Sequence, residues 1–259
     1  MADEPPIIGV LGGMGPAATA DFYRKLVDAT PADRDQDHLR TLIWSDPTIP
    51  DRATAYVHGG ESPIPHLIAG AQRLERSGAG FIAVPCNTAH LFLAPVRAHI
   101  GIPVIDMIEA TADELADMRS GAAVAVLGTA ATASSSIYRS PLAERGLTAF
   151  TPRPAEQLQV SEAILRVKRG EVPHAARLLA PVIDALMQRG AEAVIAACTE
   201  LPLAMAFLER SAPLVDPTAA LARACVRRAR IDPPGLDSAE RWARSRALAP
   251  ASAAPFARV

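Results

Sequence analysis

The sequence predicts an α/β fold of two pseudosymmetric lobes, each a short parallel sheet flanked by helices, with any active site in the cleft between them. Short apolar runs alternate with longer amphipathic stretches along most of the chain. The apolar runs are continuous, as expected of strands buried on both faces of a parallel sheet. The second half also repeats landmarks of the first in the same order.

IIGVLG (7–12) reads as a buried strand running into a glycine loop, GGMGPAAT, and then a helix, ATADFYRKLV. Strand TLIWS (41–45), a helix over 64–77, strand FIAVPC (81–86), a helix after Cys86 and strand PVIDM (103–107) follow. AVAVLGT (123–129) opens a second round. It continues with a helix near 134–145, an amphipathic stretch 156–168, a helix over 174–189, and strands AVIAAC (193–198) and PLVD (213–216).

VLG (10–12) recurs as VLG (126–128), 116 residues on, and Tyr23 recurs as Tyr138 at 115. Arg52 and Lys168 each lie 40 residues beyond the matched glycine. Gly78-Ala79 and Gly190-Ala191 each stand eight residues before a cysteine, and IPVID (102–106) pairs with APLVD (212–216). Five ordered matches indicate an internal duplication. Residues 1–113 with 218–259 are expected to form one lobe, and 114–217 the other, each of ordinary domain size. The last dozen residues, rich in Ala, Ser and Pro, are expected to be loosely ordered.

Of the 259 residues, 49% are hydrophobic and 21% charged, and the net charge is -2. That composition suits a globular core and offers no basic field for nucleic acid or an anionic membrane surface. No apolar stretch reaches the roughly 20 residues that span a bilayer. The acidic start, MADEPP, lacks the basic region of a signal peptide, so the expected location is cytoplasmic. Three cysteines in such a chain are expected to be free thiols. There is no Cys-x-x-Cys or His-Glu-x-x-His pattern, and no metal is expected. Lys25 and Lys168 are the only lysines, and neither adjoins a phosphate loop, so no pyridoxal cofactor is expected. Gly13-x-Gly15-x-x-Ala18 fits a dinucleotide fingerprint only formally, because Pro16 follows the second glycine and the ribose-binding acid is missing.

Cys86 and Cys198 each end an apolar strand, FIAVP-C-NT and AVIAA-C-TE. Ligands of parallel sheets bind at the carboxyl ends of strands, so facing lobes would set the two thiols across one cleft. An isolated strand cysteine is most often an inert core residue, but matched placement in both halves argues for chemistry. Asn87, Thr88 and Thr199 follow the cysteines with hydrogen-bonding groups, and a following helix would favour a thiolate through its dipole. Cys225, in AALARACVRRAR, lacks polar followers and reads as structural. His90, four residues after Cys86, would either pair with the thiol or pack. The loop around Met14 and the hydroxyls of Thr129 and Thr132 offer groups for a small carboxylate. Arg52 lies in a Pro-rich stretch that ends in Gly59-Gly60, read as a lid loop carrying a cation, with Lys168 as its counterpart.

GGMGPAAT, IPDR, PCNTAH and ACTEL, in this order, resemble the aspartate/glutamate racemase family, and in particular its aspartate-racemase branch. The resemblance covers residues 7 to about 217. It implies two pseudosymmetric lobes, no cofactor, a homodimer, and Cys86 and Cys198 as a catalytic acid/base pair. It further implies that Arg52 and Lys168 take the side-chain carboxylate of an acidic amino acid. Met14, Asn87, Thr88, Thr129, Thr132, Thr199 and Glu200 would line the pocket. Glu200 stands where glutamate racemases of the family typically have His, which points to the aspartate side. A glutamate or broad-specificity amino-acid racemase is the alternative within the family, and related proteins of similar build isomerise maleate, decarboxylate arylmalonates or racemise hydantoins. A non-catalytic binder of acidic amino acids is the alternative of another class, and it has no need of paired thiols.

Overall fold

A computed structural model of the chain describes residues 5–208 and 213–231. The carboxyl-terminal dozen lies outside the described residues. The first half runs β1 (Ile7–Gly12), α1 (Pro16–Ala29), β2 (Thr41–Ser45), α2 (Arg52–His58), α3 (Ile64–Arg76), β3 (Ala79–Ala83), a 3-10 turn at Thr88–Phe92, α4 (Leu93–Arg97), β4 (Val104–Ile105) and α5 (Met107–Asp113). The second runs β5 (Ala123–Gly128), α6 (Ala130–Ser135), α7 (Arg139–Glu144), β6 (Thr148–Phe150), α8 (Pro154–Lys168), α9 (Val172–Gln188), β7 (Ala193–Ala197), α10 (Leu201–Met205), β8 (Leu214–Val215) and α11 (Pro217–Ile231). The strands form two four-stranded parallel sheets of the same topology, β2-β1-β3-β4 and β6-β5-β7-β8. This is the two-lobed α/β architecture expected from the alternation of apolar runs.

Side chains that alternate along a strand enter opposite layers. Ile8, Val10, Phe81 and Ala83 face α1 and α11, whereas Leu11, Ile82 and Val84 pack with Leu67, Ala71 and Leu74 of α3. In the second sheet, Val124, Val126 and Ile195 meet Tyr138 and Leu142, and Leu127, Val194 and Ala196 meet α8 and α9. Apolar partners on both faces explain why the strands read as unbroken apolar runs.

The halves exchange a helix. After β8 the chain crosses back, and Leu221, Ala222, Cys225 and Val226 of α11 close one face of the first sheet. After β4 the chain runs the other way, and Ile108 and Ala112 of α5 join the core of the second sheet. The aspartates of the matched IPVID and APLVD runs start these two helices. Asp106 Oδ1 accepts from the amides of Ile108 and Glu109, and Asp216 Oδ1 accepts from those of Thr218 and Ala219. Gly78 and Gly190 make the matched turns into β3 and β7 at φ of +91° and +93°, which favour glycine.

The Tyr23–Tyr138 match fails structurally. Tyr23 is an exposed residue within α1, whereas Tyr138 is buried at the head of α7. The helix expected near 134–145 is two helices, α6 and α7, separated at Ser136 with φ of +56°. β6, only three residues long, left no pattern to read. The stretch read as a lid loop is the helix α2, capped by Asp51, whose Oδ1 accepts from Thr54 N–H at 2.7 Å, and ended by Gly59 at φ of +64°.

His90 ties the end of the first sheet to α5. Its Nε2 accepts from the Met107 amide at 3.0 Å, so Nδ1 carries the proton and donates to the Cys86 carbonyl at 2.9 Å. Burial lowers the imidazole's pKa and keeps it neutral, against the opposing pull of Asp106. The unfolded chain binds a proton below about pH 6.5 that the folded chain resists. Stability is therefore full above that value and falls as the pH drops below it. Urea midpoints measured between about pH 7 and pH 5 should decline, and His90→Gln should remove most of that slope whatever its own stability.

Candidate active site

The carboxyl ends of β3 and β7 bring Cys86 and Cys198 to the walls of one cavity. They are only 7% and 6% exposed, so the thiols meet whatever fills the cavity rather than bulk water. Cys225 lies buried in a separate core, away from this cavity. The walls also take Met14, Arg52, Asn87, Thr88, Thr129, Lys168, Thr199 and Glu200. Thr132 stands just behind, its hydroxyl 3.2 Å from Thr88 and 3.1 Å from Thr129. The spacing of the sequence motifs thus gathers all eleven candidates in one place.

The lobes meet through this polar group. The hydroxyls of Thr88, from the first half, and Thr129, from the second, are 3.0 Å apart. Thr129 also caps α6 by accepting from the Thr132 amide. Tyr138 donates to Asn87 Oδ1 across the same seam. Asn87 Nδ2 has no partner among the described residues.

Arg52 begins α2 and is almost fully buried. Its Nη1 donates to the carbonyls of Ile49 and Pro50, both at 3.0 Å, and its Nη2 to that of Met14 at 3.2 Å. Among the described residues its Nε has no partner. The fork expected to clasp a carboxylate is therefore largely engaged by main chain. The glycine loop is likewise occupied: Gly13 N–H donates to Thr19 Oγ1, and a Cβ on Gly15 would stand 3.2 Å from Glu200 Oε1. Lys168 ends α8 and is exposed at the rim.

The electrostatics differ on the two sides. Burial pushes the Cys86 thiol up, and the adjacent Arg52 guanidinium pulls it back. Burial pushes Cys198 up further, and the Glu200 carboxylate adds to the rise. Cys198 Sγ–H donates to Glu200 Oε2 at 3.1 Å. The helices meant to favour a thiolate are one short turn each, the 3-10 turn after Cys86 and α10 after Cys198. Their contribution does not overcome desolvation.

The inner cavity is about 20 Å³, room for one water and far too small for an amino acid. It adjoins a chamber of about 580 Å³ that shares Asp51, Arg52, Lys168 and Glu200. Entry of a substrate requires the walls to part. Asp51 and Ala53 of the inner wall escaped the sequence reading, although both flank Arg52. Tyr138 was noticed only as a repeat partner. Lys25 is held by Asp21 and Asp216, which occupies one of the two lysines. Among the described residues no cluster of His, Cys, Asp and Glu could hold a metal, and no helix is long and apolar enough to cross a membrane.

Comparison with known proteins accords with this geometry. A family model described as Asp/Glu/Hydantoin racemase matches residues 11–225. The broad specificity amino-acid racemase RacX of Bacillus subtilis is 31% identical over 231 residues, covering 85% of this chain and 96% of RacX. The Picrophilus torridus aspartate racemase structure superposes with a TM-score of 0.78 at 33% identity, covering 91% of this chain and 98% of that one. An aspartate racemase homologue from Pyrococcus horikoshii gives a TM-score of 0.68 at 27% identity, covering 87% and 99%. With so much of the chain matched and two sheets of the same build meeting at one cleft, the protein belongs to the Asp/Glu/Hydantoin racemase family and is an amino-acid racemase.

Proposed function

We propose that the protein racemises an acidic amino acid, aspartate foremost, without a cofactor, by passing the α-proton between Cys86 and Cys198. The observation that carries this reading is the pair of buried thiols, one from each lobe, on the walls of one cavity. A thiolate on one side takes the α-proton and becomes a thiol. The opposite thiol gives its proton to the other face of the carbanion and becomes a thiolate. Asn87, Thr88, Thr129 and Thr199 supply hydrogen bonds to the α-carboxylate as negative charge spreads onto it, Thr132 holds the Thr88 and Thr129 hydroxyls from behind, and Met14 closes the wall. Arg52 Nε and Lys168 supply positive charge for the distal carboxylate.

The unequal surroundings support one arrangement of the starting protons. Cys86, beside Arg52, is the thiol more easily ionised, and Cys198 keeps its proton on the side of Glu200. This supports Cys86 as the base and Cys198 as the acid for one enantiomer, and the two exchange roles for its mirror image.

A broader range of amino acids is the second reading. The engagement of Arg52 by three main-chain carbonyls favours it, because such an arginine selects less strictly for a second carboxylate. The similarity to RacX supports it as well.

Solvent deuterium should enter the α-position of aspartate, read by NMR. Cys86→Ala and Cys198→Ala should each fold and lose about 10²- to 10⁴-fold in racemisation. Substantial turnover by either variant removes the two-thiol scheme. A chiral assay over acidic, neutral and basic amino acids separates the two readings: aspartate should lead in kcat/KM, and neutral residues within about tenfold of it would establish the broader one.

The pH profile tests the proton assignment. Because the Cys86 pKa is raised, kcat/KM should climb as the pH rises from neutrality, and it should fall only when Cys198 ionises at higher pH. Glu200→Gln removes a charge that raises Cys198, so the alkaline limb should move to lower pH. An unmoved limb contradicts the assignment.

A further inference from the structure

Asn87 is 1% exposed, lines the cavity between the thiols, and leaves Nδ2 without a partner. A buried amide donor is costly unless something completes it, so an occupant of the cavity is the natural acceptor. Which end of the amide faces the cavity is decided by Tyr138. This residue comes from the other half of the chain, 51 positions on, and is 2% exposed within the core of the second sheet. Its hydroxyl proton needs an acceptor. Thr111, whose own hydroxyl donates to the Met107 carbonyl at 2.6 Å, also lies against the phenol, and Tyr138 donates to Asn87 Oδ1. Burial drives the phenol's pKa far upward, so the group remains a donor at any working pH.

We propose that Tyr138 is a positioning residue for racemisation, its hydroxyl holding the Asn87 amide so that Nδ2 faces the substrate's α-carboxylate. This rests on the proposed substrate placement. As the α-proton leaves, charge builds on that carboxylate, and a donor fixed beforehand stabilises it without reorganisation. Without the phenol hydroxyl, the amide can turn over and offer its oxygen to the same carboxylate. Because the two residues belong to different lobes, the donor is aligned only when the lobes are together.

Tyr138→Phe, Asn87→Ala and the double variant test this. Tyr138→Phe should lower kcat/KM for the best wild-type substrate by about 10- to 100-fold, chiefly in kcat. In the Asn87→Ala background the same change should cost no more than about twofold. Equal losses in both backgrounds, or full activity of Tyr138→Phe, overturn the proposal, since a general weakening of the fold acts alike in both. If the wild type exchanges no α-proton across the amino-acid panel, the substrate reading fails separately. Orientation is then read from ¹⁵N-labelled protein: Tyr138→Phe should shift and broaden the Asn87 side-chain amide pair, and unchanged resonances overturn the proposal by themselves.

Discussion

Polar groups that meet where water is excluded have to satisfy one another, and the cleft is built on that constraint. A parallel sheet buries both faces and leaves its carboxyl edge free, and here two such edges are pressed together. Beside the exchanged helices, a patch of polar side chains joins them: Thr88 against Thr129 and Thr132, and Asn87 against Tyr138. Each contact spans the two halves of the chain. The same patch brings the strand ends, and therefore the two sulfur atoms, to the walls of one cavity.

The scaffold is nearly symmetric and the chemistry is not. Aspartates 106 and 216 cap equivalent helices, and glycines 78 and 190 turn equivalent corners. Charge breaks the symmetry: a guanidinium lies beside Cys86, and a carboxylate accepts from Cys198. Duplication supplied the positions, and divergence gave the two thiols unequal surroundings. Mirror-image substrates have equal free energy in water. The asymmetry can change how tightly and how fast each is handled, but not their ratio at equilibrium.

Much of this was legible in the sequence because the signals were local. Continuous apolar runs ending in Cys-Asn-Thr and Cys-Thr-Glu place thiols at strand ends, and a fixed register carries Arg52 and Lys168 to the same rim. Signals that depend on partners far along the chain were not legible. The repeat marks Tyr138 only as a landmark matched to Tyr23, whereas in the fold its hydroxyl bonds Asn87 from the other half of the chain. Prolines before Arg52 suggest a loop, whereas Asp51 and Gly59 cap a helix there. The fate of the Arg52 fork could not be read either, because the three carbonyls that occupy it carry no side-chain signature.

The exchange of helices between the lobes bears on how the protein is made. Ile8, Val10, Phe22 and Phe81 are translated well before the residues that cover them, Leu221 to Val226. Until then one face of the first sheet stays bare. The amino-terminal lobe therefore cannot bury that face until α11 has been made, and until then it offers an apolar surface to misassociation.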